Sequence, residues 1–147
     1  MERVLIVNGP NLALLGEREP DTYGSVSLPE IEEMLTERGS VLGVDVAFFQ
    51  SNDEGAIIDA LHDARTTCDG VVLNAGALTH YSYALRDAVA AIGVPVVEVH
   101  LSNIFAREPF RATSVIAPAC IGSICGFGPL SYLLGLDAVA DRLRRGQ

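Results

Sequence analysis

"RVLIVN", residues Arg3 to Asn8, is an unbroken apolar run closed by an amide. A strand with one wet face would alternate polar and apolar residues. A short run this uniformly apolar belongs instead to a strand covered on both faces. Working outward, the pattern returns in "VDVAFFQ" (Val44–Gln50), "GVVLNAG" (Gly70–Gly76) and "PVVEVH" (Pro95–His100), and "TSVIAPA" (Thr113–Ala119) is expected as a fifth strand.

Between these runs the apolar spacing turns helical. Ser27 and Glu30 have the spacing of a capping box. Leu28, Ile31, Leu35 and Leu42 follow it, and Gly43 closes that helix. Ile57, Ile58, Leu61 and Ala64 mark a second helix. Tyr81, Leu85, Ala88, Val89 and Ile92 mark a third, ended by Gly93 and Pro95. Leu130, Leu133, Leu134 and Val139 suit a last one, which finishes in the basic segment Arg142–Arg145. Strands alternating with helices imply a parallel sheet with right-handed crossovers. The expected fold is α/β and flavodoxin-like, a doubly wound five-stranded parallel sheet of order 2-1-3-4-5 with helices on both faces. The whole of residues 1–147 is expected to form one domain.

Composition narrows the chemistry. A net charge of -9 argues against nucleic acid as a partner. All 10 basic residues are arginine, so the chain has no lysine for a Schiff base, a pyridoxal-phosphate anchor or a P-loop. Cys68, Cys120 and Cys125 form an odd set without a CxxC pair, which speaks against a disulfide framework. No apolar run approaches the ~18 residues that would span a bilayer. The first residues lack a signal-peptide pattern, so a cytoplasmic location is expected.

In doubly wound sheets ligands bind outside the carboxyl ends of the strands. Here those ends carry Asn8 and Asn11; Gln50, Ser51 and Asn52; Asn74, Gly76 and His80; and His100, Ser102 and Asn103. Each alone could be a turn or cap residue bonded to nearby backbone. Four strands ending this way point to one shared crevice.

Histidine is the usual proton carrier near neutral pH, which makes His100 a candidate acid or base. His80 is placed at the start of the third helix, where the dipole favours a neutral ring. His62 falls mid-helix and reads as exposed. His80 and His100 have no companion ligand motif for a metal. Arg107 and Arg111 have the spacing of one helical turn and share a face. Glu108 beside them offers a plain salt bridge, but paired guanidinium groups also grip carboxylates and polyols. The first loop contains Arg18 and Tyr23 among Gly and Pro residues that suit a closing lid. A phenol ordinarily titrates near about 10, so a tyrosine serves as a base only where a cation stabilises its phenolate.

These segments carry a resemblance. "NGPNLALLGEREPDTYG", "QSNDEG", "NAGALTHYSYALRDA" and "EVHLSNIFAREPFR", with the later "GSICGFG", resemble the type II 3-dehydroquinate dehydratases along nearly the whole chain. The resemblance implies a cofactor-free, metal-free lyase, usually a dodecamer of trimers, in the shikimate pathway or in quinate catabolism. It implies dehydration of 3-dehydroquinate to 3-dehydroshikimate by stepwise anti elimination through an enolate. Tyr23 would be the base and Arg18 would favour its phenolate. Asn11 would hold a water on the enolate oxygen, and His100 would be the acid, oriented with help from Asn74. Ser102 and the backbone amide of Ile104 would bind the substrate carboxylate. His80 and Arg111 would hold ring hydroxyls, and Arg107 would support the lid. Asp87 would reach the substrate site of a neighbouring subunit. The chain departs from the common family pattern at Asp53, Phe105 and Thr113, each where histidine is frequent. Those departures bear on subunit contacts more than on chemistry.

Two other readings compete. A noncatalytic module for a small anion or nucleotide would lack catalytic groups, but strand one is not followed by GxGxxG and no phosphate loop is evident. An inactive paralogue that keeps only the assembly is opposed by the presence of Arg18, Tyr23 and His100 together.

Overall fold

The computed structural model describes residues 1–17 and 19–146. The strands are β1 (Arg3–Asn8), β2 (Asp45–Gln50), β3 (Gly70–Asn74), β4 (Val96–His100) and β5 (Gly122–Cys125). They form one parallel sheet in the order β2-β1-β3-β4-β5. The helices are α1 (Pro20–Tyr23), α2 (Leu28–Leu42), α3 (Glu54–Thr67), α4 (Tyr83–Ala91) and α5 (Leu130–Arg145).

Side chains on successive strand residues alternate between faces, and the core divides accordingly. On one face Val4, Ile6, Val72, Val97 and Val99 pack with Ile31 and Leu35 of α2 and with Tyr132 and Leu136 of α5. On the other, Val7, Val71, Leu73 and Val96 pack with Ile57 and Leu61 of α3 and with Leu85 and Val89 of α4. Each fully buried aliphatic side chain contributes about 1.5–3 kcal/mol of transfer free energy.

Local signals set the helix ends. Ser27 and Glu30 close the expected capping box on α2, and Gly43 ends that helix at φ 75, a left-handed conformation suited to glycine. Gly9 has a different reason. A Cβ there would lie 2.5 Å from the Ala75 carbonyl oxygen, so only glycine lets the chain leave β1 so close to the end of β3.

The register places the polar strand ends together. Asn8 is level with Gln50 on one side and with Asn74 on the other, and His100 is level with Cys125.

Three local expectations need correction. Thr113–Ala119 is not a strand; the fifth strand is Gly122–Cys125. Val115 and Ile116 are buried, but Ile116 is helical at φ -89, ψ -24, and Pro118 sits in a 3-10 turn over Ala117–Ala119. The third helix begins at Tyr83, capped by Ser82, so His80 ends a preceding 3-10 turn (Gly76–His80) and does not start the helix. Arg107 and Arg111 do not share a helix. They flank Pro109, and Glu108 before that proline is extended at ψ 143, as the proline ring requires.

Candidate active site

Beyond the ends of β1, β3 and β4 lies a recess of about 110 Å³. Asn11, Tyr23, Asn74, His80, His100, Ser102, Ile104, Arg107 and Arg111 all line it. Nine of the eleven site residues expected from the sequence therefore meet in one place. Arg18 lies outside the described residues. Asp87 is exposed on α4 and is not part of this lining.

Tyr23 ends the single turn of α1 and is half-buried against the α2 side of the core. Arg107 governs its surroundings. One guanidinium nitrogen donates to the Tyr23 hydroxyl at 2.7 Å and the other to the Ser102 hydroxyl at 3.2 Å. The guanidinium carbon also stands 5.0 Å from the centre of the Tyr23 ring. The guanidinium thus meets the Tyr23 phenol both at its oxygen and over its ring. It also occupies a lone pair of Ser102, which leaves that hydroxyl's proton for a ligand.

His100 is the last residue of β4 and is 5% exposed. Its Nε2 donates to the carboxylate of Glu98 at 2.5 Å. Glu98 is fully buried, two residues earlier on the same face of the strand. Its other oxygen accepts from the Ser114 hydroxyl at 3.1 Å, and Ser114 is held in turn by the Ala117 amide at 3.0 Å. A buried carboxylate is tolerated only when paired and hydrogen-bonded, and both conditions are met. With Nε2 engaged, Nδ1 is the His100 nitrogen left for chemistry. The sequence reading missed Glu98. Its signal was a charge inside an otherwise apolar strand, at i-2 from a histidine.

His80 is tilted toward its neutral form. Its Nδ1 meets the Thr113 carbonyl at 2.8 Å and donates to it, so in the neutral ring Nε2 is the accepting nitrogen. Burial is the main cause that lowers its pKa from the ordinary histidine value. The Thr113 hydrogen bond opposes this, and the positive charges of His100 and Arg111 lower it further, against a small raising by Glu98. The helix dipole expected from the sequence is not the cause. The His80 and His100 rings are near parallel at 21°, with centroids 6.3 Å apart. Arg111 is held by Glu108 at 3.2 Å, so the expected salt bridge is real and also fixes a pocket residue.

Asn11 sits in the left-handed region at φ 70. Its amide donates to the Asn52 side chain at 2.9 Å. Gln50 donates to that same Asn52 oxygen at 3.3 Å and to the Gly9 carbonyl at 3.2 Å. The polar end of β2 thus braces the loop that carries Asn11 and does not line the recess itself. Ile104 opens a 3-10 turn (Ile104–Ala106), where the first amide has no partner within the turn.

Among the described residues, no group of three or more His, Cys, Asp and Glu converges in a way that would hold a metal ion. No described helix is long and apolar enough to cross a membrane.

Residues 2–140 match the family model described as Dehydroquinase class II. A 3-dehydroquinate dehydratase of Pelotomaculum thermopropionicum is 57% identical over 138 residues, covering 94% of this chain and 96% of the relative. One of Gloeobacter violaceus is 57% identical over 143 residues, covering 97% and 89%. The crystal structure of type II dehydroquinase from Butyrivibrio crossotus superposes with a TM-score of 0.92 at 43% identity, covering 94% of this chain and 97% of that one.

Proposed function

The chain belongs to the class II dehydroquinases, and from that premise we propose how its own residues carry the reaction. The reaction is the dehydration of 3-dehydroquinate to 3-dehydroshikimate, which makes the protein a hydro-lyase. Residues 1–147 act as one catalytic domain in the cytoplasm, in the shikimate route to aromatic amino acids or in quinate breakdown.

Tyr23, as phenolate, takes the proton from the carbon beside the ketone. Arg107 at 2.7 Å favours that phenolate, with Arg18 as the second cation. The electrons move into the carbonyl, and a water held by Asn11 stabilises the enolate oxygen. The enolate then collapses, forms the carbon–carbon double bond and expels the hydroxyl. His100 delivers a proton from Nδ1, so the leaving group departs as water. Asn74 steadies His100. Ser102 and the Ile104 amide receive the substrate carboxylate, and His80 and Arg111 take ring hydroxyls. The family's dodecamer is the proposed assembly, with Asp87 reaching a neighbour's site. Exposed Tyr83 and Phe105 are consistent with contact surface.

The observation that supports this assignment is that Tyr23, bonded to the Arg107 guanidinium, and His100, paired with the buried Glu98 carboxylate, line the same recess. Purified protein is mixed with 3-dehydroquinate, and the absorbance of the conjugated enone is followed for the wild type and Tyr23→Phe. The expected result is turnover by the wild type that collapses in the variant. Turnover that survives in the variant removes Tyr23 as the base, and a well-folded but inert wild type removes the proposal.

A further inference from the structure

We propose that Tyr132, on the last helix, is a positioning residue for the reaction: its hydroxyl, donating to Asn8 and accepting from Asn74, holds the carboxamide of Asn74 in one orientation. Tyr132 is fully buried and does not line the recess, nor does Asn8. The phenol donates its single proton to Asn8 Oδ1 at 2.5 Å. Its oxygen accepts from Asn74 Nδ2 at 2.9 Å. Asn74 Oδ1 accepts from the Gly76 amide at 3.2 Å. Burial raises the pKa of the Tyr132 phenol far above the ordinary value, so the proton stays in place.

The directions of these bonds are what matter. A flipped Asn74 carboxamide would set its oxygen against a phenol whose proton is already committed to Asn8. It would also set its NH₂ group against the Gly76 N–H. Both hydrogen bonds, one buried and one part-buried, would be lost at once. Asn74 is therefore held one way, with one Nδ2 hydrogen and one Oδ1 lone pair left for the recess it lines. Phenylalanine would fill the same space between α5 and the sheet equally well. The hydroxyl has a purpose only in this relay, which ties the ends of β1 and β3 through a helix that otherwise serves as cover.

The inference rests on the proposed reaction for its kinetic consequence and on geometry alone for the relay. Tyr132→Phe is expected to lower kcat roughly tenfold, about the worth of one hydrogen bond, with KM little changed. Asn8→Ala removes the other end of the relay and is expected to act in the same direction, should the first variant fold poorly. Added to Asn74→Ala, Tyr132→Phe is expected to cost nothing more, since its effect passes through the missing carboxamide. An undiminished loss in that background, or wild-type kcat in both single variants, overturns the proposal. The side-chain amide signal of Asn74, assigned by its absence in Asn74→Asp, gives a test independent of turnover. One of its protons is expected to resist solvent exchange in the wild type and to exchange freely in Tyr132→Phe. Equal exchange in the two proteins overturns the relay, whereas an inert wild type with the expected exchange pattern overturns only the assigned reaction.

Discussion

The carboxylate of Glu98 and Nε2 of His100 stand 2.5 Å apart, two residues along one strand and both almost wholly out of solvent. That pair engages Nε2 and leaves Nδ1 as the His100 nitrogen for the recess. Glu98→Gln keeps the size but can set an NH₂ group against Nε2–H, which forces the ring to change tautomer or turn. General acid catalysis is worth about 10²–10⁴-fold. Glu98→Gln is therefore expected to lower kcat by about 10²-fold, with KM little changed and the fold intact by circular dichroism. A variant with full kcat would show that His100 needs no carboxylate behind it.

Arg107 holds the Tyr23 and Ser102 hydroxyls with two nitrogens of one planar group. Lysine has one ammonium and cannot reproduce that fork. Arg107→Lys is expected to lose at least about tenfold in kcat/KM, since each charge-assisted hydrogen bond is worth about 1.5–3 kcal/mol. Steady-state rates of Arg107→Lys beside Arg107→Met separate geometry from charge. Full recovery with lysine would mean that only the charge matters.

His80 has a lowered pKa in the folded chain, with burial as the first cause, so the unfolded chain takes up its proton first as pH falls. Its ring faces Thr113 from the loop after Arg111, His100 and Glu98 from β4, and Arg111. Where the unfolded state binds more protons, stability rises with pH. The stability linked to His80 is complete above the ordinary histidine value of about 6.5 and is lost as pH drops below it. Thermal melts of the wild type and His80→Gln at pH 7.5 and pH 5.5 check this. The wild type is expected to lose more of its Tm between the two than the variant does. Equal losses would show that His80 does not titrate differently on folding.

Much of this fold could be read from residue order alone, because covered strands leave mainly apolar runs: β1, β3 and β4 are such runs, and the edge strand β2 is still apolar from Val46 to Phe49. The fifth strand could not. Val115 and Ile116 are apolar and buried as a strand would be, whereas the real edge strand Gly122–Cys125 is short and half polar. The Arg107–Arg111 spacing suggested a helix, and Pro109 overrode it by extending Glu108. The recess itself was legible because a parallel sheet brings polar strand ends together, although only β1, β3 and β4 lead into it and the polar end of β2 braces the Asn11 loop instead. Glu98 and Tyr132 escaped for opposite reasons. Glu98 was read as part of an apolar strand despite its charge, and Tyr132 fits the apolar face of α5, so nothing in its position signals that its hydroxyl matters.

Asn52 supplies the last case, in which a residue outside the recess sets the geometry within it. Asn11 is left-handed at φ 70, a conformation that asparagine tolerates but that a loop must hold in place. The Asn52 side-chain oxygen accepts from the Asn11 amide and from Gln50. Asn52 is exposed, so water can replace its oxygen when the side chain is lost. The cost to stability in Asn52→Ala should be only about 0.5–1.5 kcal/mol by urea unfolding. Activity should suffer more, because the proposed reaction has Asn11 hold a water on the enolate oxygen, where small displacements are costly. A several-fold fall in kcat is expected for Asn52→Ala. Asn52→Asp keeps the accepting oxygen and is expected to recover most of it. If alanine and aspartate behave alike, the Asn52 hydrogen bond does not position Asn11.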